Sequence, residues 1–211
     1  MQSPDKVAPG SAVDVSPARS AILDKLRRQI VVEHPPLPEV ISGEWIRYED
    51  PVMQFTQAVE AVGASCVSVQ HPSEIAKHLE GHEIWRNATK VFSQVPEVPG
   101  NVDLAAIDAP HALDDLDFVV YRGQFGVAEN GAVWVSDQDL RHRVVFFITQ
   151  FLVLVVSRDQ IVHHMHEAYA RLQLPRPGFG LFLAGPSKTA DIEQSLVVGA
   201  HGCKQLQVFI V

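Results

Sequence analysis

Two stretches, residues 179–184 and 206–211, place apolar side chains on both faces of any strand they form. Such strands stay dry only when covered on both sides, and helices supply that cover in α/β proteins with parallel strands. The two are therefore expected to bracket a βαβ crossover, with a helix starting near Ala190. The longest apolar run, residues 144–156, is broken by Thr149 and Gln150. It falls short of the roughly twenty residues that span a bilayer and reads as buried core. With 46% hydrophobic and 20% charged residues in a chain of 211, there is enough apolar material for one substantial core.

Local signals order the remaining elements. Residues 1–15 are polar and proline-containing, and read as a disordered arm ahead of a single domain over 16–211. Ser16-Pro17 supplies an N-cap followed by proline at the first helical position, and Ile22, Leu26 and Ile30 recur at helical spacing, giving a helical arm. The prolines of residues 34–38 end that helix in a linker. Asp50-Pro51 repeats the helix start, Val52, Phe55, Val59 and Val62 form one face, and Gly63 is the stop. A strand over 64–69 and a short helix carrying Ile75 and Leu79 follow.

Beyond these, β-rich runs at 117–121, 125–128, 132–136 and 151–157 indicate a mixed or antiparallel section, with Asn130-Gly131 as a type I′ hairpin signal. Val162, Met165, Tyr169 and Leu172 mark one more helix. The fold class expected is α/β: a mixed, mostly parallel sheet flanked by helices, with an inserted β-hairpin region and an N-terminal helical arm.

Charge and cysteine usage narrow the function. Seventeen Lys and Arg stand against 25 Asp and Glu, a formal net charge of -8, with no basic cluster of the kind that phosphate backbones require. Nucleic-acid binding is disfavoured. Cys66 and Cys203 are the two cysteines, too few for an iron-sulfur cluster of the usual four-cysteine type, so such a cluster is expected on a partner rather than on this chain. The N-terminus lacks the apolar core of a secretory signal, and a cytoplasmic location is expected.

Four groups of residues can carry chemistry. Gly185-Pro186-Ser187-Lys188-Thr189, placed before an expected helix, can offer free N–H groups to an anion, or Ser187 and Thr189 can simply cap that helix. Asp191 and Glu193 add negative charge to its first turn. Glu129-Asn130-Gly131 reads as a hairpin turn with a solvated glutamate, or as a positioned carboxylate. His163, His166 and Glu167, at helical spacings of three and four, can share a face and bind a metal ion, or face solvent. His201, beside Gly202, can act as a general acid or a carboxylate ligand.

The run from Gly185 to His201 (GPSKTADIEQSLVVGAH), followed by Gly202, resembles the C-terminal signature of the LutC/YkgG, or LUD-domain, family. A second block, FGVAENGAVWV from Phe125 to Val135, is similar to that family's central segment. The resemblance implies a fold related to ribose-5-phosphate isomerase and the coenzyme A transferases. It also implies an accessory or ligand-binding role beside two iron-sulfur subunits, LutA-like and LutB-like, that convert L-lactate to pyruvate. Coenzyme A transferases of this fold group carry a catalytic glutamate in a Ser-Glu-Asn-Gly motif, which Glu129-Asn130-Gly131 matches except that Ala128 replaces the serine. A free-standing transferase or phosphosugar isomerase using Glu129 is the second reading, and a metal-binding protein using the histidines the third.

Overall fold

The computed structural model describes residues 17–29, 36, 45–138, 140–172, 178–189 and 197–211. Helix α1 (Pro17–Gln29) belongs to one compact unit, Met1–Gly43, and everything that follows to a second, Glu44–Val211. The expected disordered arm, most of the proline linker, and the helix expected from Ala190 with Asp191 and Glu193 lie outside the described residues. Among the described residues no helix is long and apolar enough to cross a membrane.

In the larger unit, helix α2 (Pro51–Ala61) starts where Asp50-Pro51 predicts: the Asp50 carboxylate accepts the N–H groups of Val52 and Met53. Strand β1 (Ser65–Ser68), helices α3 (Ser73–Glu80) and α4 (Glu83–Asn87), and strands β2 (Val91–Ser93) and β3 (Phe118–Arg122) follow. Next come the hairpin strands β4 (Phe125–Val127) and β5 (Ala132–Ser136), the short helix α5 (Val145–Ile148), and strands β6 (Phe151–Val156) and β7 (Ile161–Val162). Helix α6 (Met165–Arg171) and strands β8 (Gly180–Leu183), β9 (Lys188–Thr189), β10 (Val197–Val198) and β11 (Gln205–Ile210) complete the order.

Five strands form a fully parallel sheet in the order β1-β11-β6-β3-β2. The period of two along each strand sorts its side chains into two cores. Val119 and Tyr121 of β3, Leu152, Leu154 and Val156 of β6, and Leu206, Val208 and Ile210 of β11 join one cluster with Phe55 and Val59 of α2. The alternate residues, Phe118, Val120, Val153, Val155 and Phe209, face Ile75 and Leu79 of α3 and pack with Trp85 of α4. Both faces are dry, as the continuous apolar runs require.

A second sheet, β7-β4-β5-β8, covers the α2 side. Its β5 splits the same way: Val133 and Val135 enter the main core, while Trp134 joins Phe125, Val127 and Val162 beneath Ala168 of α6.

Two expectations fail here. The strand over 179–184 is only half-buried, Leu181 and Leu183 packing on the main core and Phe182 on Trp134, and it pairs antiparallel with β5 and not with the C-terminal strand, so the two strands frame no βαβ crossover. An apolar run reports packing but not the neighbour that provides it. Conversely, the runs at 117–121 and 151–157, expected in the mixed section, belong to the parallel sheet as β3 and β6.

Candidate functional site

The glutamate hairpin is a four-residue loop, since Val127 pairs with Ala132 and the Gly131 N–H returns to the Val127 carbonyl at 2.9 Å. The two-residue type I′ turn expected from Asn130-Gly131 is not formed, because Ala128 and Glu129 donate their N–H groups to Val162 and His163 and so prolong the pairing with β7. Asn130 closes the turn through its Oδ1, which accepts the Ala132 N–H. Gly131 has φ 69°, and a Cβ there would lie 2.6 Å from the Val59 nitrogen of α2. Glu129 is exposed, and its Oε2 accepts the Met165 N–H at 2.8 Å at the start of α6. In this geometry the carboxylate ties hairpin to helix; it is not aimed into a desolvated cavity.

The histidine group does not form the helical face expected of it. His163 lies between β7 and α6, and its Nδ1 accepts the Tyr48 N–H at 3.0 Å. Glu167 accepts the His163 N–H through Oε2 and the Arg47 guanidinium through Oε1, 2.9 and 2.8 Å. Its partial burial pushes its pKa up, but the His163 N–H, Arg47 and the neighbouring His164 and His163 outweigh burial and hold it below the ordinary glutamate value. His164, which sequence reasoning passed over, is buried and caps α6 through Nδ1. The His166 ring stacks on Trp45 with centroids 3.7 Å apart. Among the described residues no group of three or more His, Cys, Asp or Glu is arranged to hold a metal ion. Burial pushes the thiols of Cys66 and Cys203 up, away from the thiolate form that binds metals or attacks carbonyls.

The 185–202 segment is described only at its two ends. Lys188 and Thr189 form β9, paired with Val198 and Val197. The Ser187 N–H donates to Cys203, the Ser187 carbonyl accepts the Gly199 N–H, and Gly202 packs against the Ser187 side chain. Lys188 donates its Nζ to the Val62 carbonyl at the end of α2, where a cation complements the helix dipole. Gly185, at φ 77°, is pressed to the same carbonyl, 2.5 Å from a hypothetical Cβ. His201 is exposed. Gly131 and Gly185 thus meet α2 at Val59 and Val62, about one helical turn apart. The two segments flagged from sequence converge on one helix end, where these glycines pack against the α2 backbone.

A different feature has the form of a site. A polar crevice of about 670 Å³ opens at the carboxyl ends of the neighbouring strands β2, β3 and β6, the edge at which open α/β sheets bind ligands. Gln94 follows β2, Arg122 ends β3 and Ser157 follows β6; the second sheet adds Gln124, Ser136 and Gln160 from its rim. The chain passes between the sheets at Gly123, where a Cβ would collide with Val133 at 2.3 Å. Hydrogen bonds fix the amides: Gln94 Oε1 accepts the Arg122 N–H (3.3 Å), Gln124 Nε2 donates to Ser136 Oγ (2.9 Å), and Gln160 Nε2 donates to Asp159 (3.3 Å). Beneath them, the Tyr121 hydroxyl donates to the Ser136 carbonyl at 2.7 Å. None of these residues was singled out from sequence, because glutamine carries no signature. The signal that does exist is positional: Arg122 and Ser157 sit where predicted strands end.

Residues 87–211, which include the whole lining of the crevice, match the LUD domain family. The chain belongs to the LUD-domain family. This LUD domain is 29% identical to the lactate utilization protein C of Deinococcus radiodurans over 212 aligned residues, 92% of this chain and 95% of that one. Shorter matches reach proteins of the same name in a Geobacillus species (28% over 123 residues, 53% of this chain and 51% of that one) and in Shouchella clausii (33% over 81 residues, 36% and 35%). Among solved structures, a DUF162 family protein of Deinococcus radiodurans superposes with a TM-score of 0.57 at 23% identity, over 76% of this chain and 96% of that one. The LUD fold is shared with it.

Proposed function

We propose that this chain is an accessory, ligand-binding component of L-lactate utilisation, working beside iron-sulfur subunits of the LutA-like and LutB-like kind that carry the redox chemistry. The observation that carries this reading is the near end-to-end likeness to a lactate utilization protein C, 95% of whose length is covered. The division of labour is supported by the two cysteines of this chain, which fall short of the four that a cluster usually takes. A ligand-binding role, as opposed to a covalent one at Glu129, is supported by the contrast between the exposed, hydrogen-bonded Glu129 and the roomy polar crevice.

Deletion of the gene, scored for growth on L-lactate, tests the reading, together with affinity purification of the tagged chain. Loss of growth and co-purification of a cysteine-rich iron-sulfur protein are expected. Unchanged growth with no such partner overturns it.

A further inference from the structure

The lining of the crevice specifies a class of ligand. Arg122 is the one charged side chain in the lining among the described residues, and no carboxylate there pairs with it. Of the four acids next to the lining in sequence, Asp137 accepts the Phe179 N–H at 2.7 Å and Asp159 is bonded by Gln160 and Ser157, Glu97 is exposed and forms no ion pair with Arg122, and Asp139 lies outside the described residues. A single guanidinium, with its planar fork of donors, matches a single carboxylate.

The amides then sort by the bonds they already make. Gln94 uses its oxygen on the Arg122 backbone N–H and keeps its NH₂ as a donor; Gln124 and Gln160 use their nitrogens and leave oxygens as acceptors. A ligand satisfying this set carries one negative charge and several hydroxyl groups, each able to donate and accept. Size adds a limit. Lactate has six non-hydrogen atoms and occupies at most about 180 Å³ if each takes the share of a liquid water, about 30 Å³. The crevice, at about 670 Å³, has room for a longer member of the same class.

We propose that the crevice at the carboxyl ends of β2, β3 and β6 binds hydroxy monocarboxylates, with the carboxylate on Arg122 and the hydroxyls on Gln94, Gln124 and Gln160, and that it favours members longer than lactate. The proposal deepens the ligand-binding reading given above, and rests on it for the expectation that this chain recognises its ligand alone. Its test is separate: growth on lactate reports the pathway, whereas binding to the purified chain reports the crevice.

Calorimetric titration of the purified full chain with D-gluconate, L-lactate, propionate, glycerol and inorganic phosphate decides it. Gluconate is expected to bind more tightly than lactate, lactate more tightly than propionate, and glycerol not at all. Arg122→Gln is expected to weaken gluconate by at least about tenfold, the effect of losing a charged hydrogen bond, with Arg122→Lys recovering part of it. Gln124→Leu is expected to weaken it several-fold, and both variants to keep the wild-type circular dichroism. The proposal is overturned if gluconate fails to bind at concentrations on the order of 10 mM, if phosphate or propionate binds as well as gluconate, or if Arg122→Gln binds like wild type.

Discussion

Two polar regions of the larger unit use their hydrogen bonds in opposite ways. Around the hairpin and α6, polar groups are spent on one another: Glu129 on Met165, His163 on Tyr48, Glu167 on His163 and Arg47, His164 on the α6 cap. In the crevice, Gln94, Gln124 and Gln160 each commit one end of the amide to the protein and leave the other for something else. Glutamate and histidine, the residue types with the stronger chemical reputation, act in the first region as fasteners. The difference teaches that a candidate site is better recognised by unspent hydrogen-bonding capacity in a concave place than by residue type.

If the hairpin region is structural, disturbing it must cost stability and leave the crevice untouched. The largest effect is expected from Gly131→Ala, which forces a Cβ onto the α2 backbone at a left-handed φ. It should lose about 3 kcal/mol, read as a lower urea midpoint at unchanged slope. A loss below about 1 kcal/mol would mean that α2 is not seated as described. Glu167→Ala removes the acceptor of both Arg47 and the His163 N–H and should cost about 1–2 kcal/mol while leaving gluconate affinity unchanged. Reduced affinity in that variant would break the separation of the two regions.

The pH dependence sharpens the same contrast. Glu167 is held below its ordinary pKa, so the stability it lends is complete above the unfolded glutamate value of about 4.3 and is lost as pH falls through the lower folded value. Asp117 behaves alike: partial burial pushes it up, but the Lys90 and Thr89 N–H groups and the Thr89 hydroxyl hold it down on balance. Thermal melts from pH 6 to 3 should fall less steeply in Glu167→Gln and Asp117→Asn than in wild type. An equally steep fall in both would mean that these carboxylates are not held as described. The smallest effect belongs to Glu129→Ala, which loses one exposed hydrogen bond and should lower the melting temperature by about 1–2 °C.

Particular residues show how far the sequence could be read. Asp50-Pro51 and Gly63 delimit α2 because capping and stopping are local chemistry, and the consecutive apolar residues of β6 and β11 declare double burial because the period of two leaves no wet face. Pairing is not local. Nothing in residues 179–184 states that they join β5, and nothing in Lys188-Thr189 states that Val197 and Val198 will pair with them. Likewise the helical spacing of His163, His166 and Glu167 is real, but Val162 is held in β7 and the helix begins only at Met165. The crevice was illegible for a further reason: its amides come from four separate positions, brought together by the crossing of the chain between two sheets.

The central claim is that ligand recognition belongs to the crevice and that the hairpin and histidines are structural. Two-dimensional NMR of side-chain resonances during titration with D-gluconate tests it most directly. The NH₂ signals of Gln94, Gln124, Gln138 and Gln160, four glutamines of the crevice lining, are predicted to move together while the rings of His163 and His166 stay fixed. Movement of the histidine rings with the four amides unchanged would contradict the account.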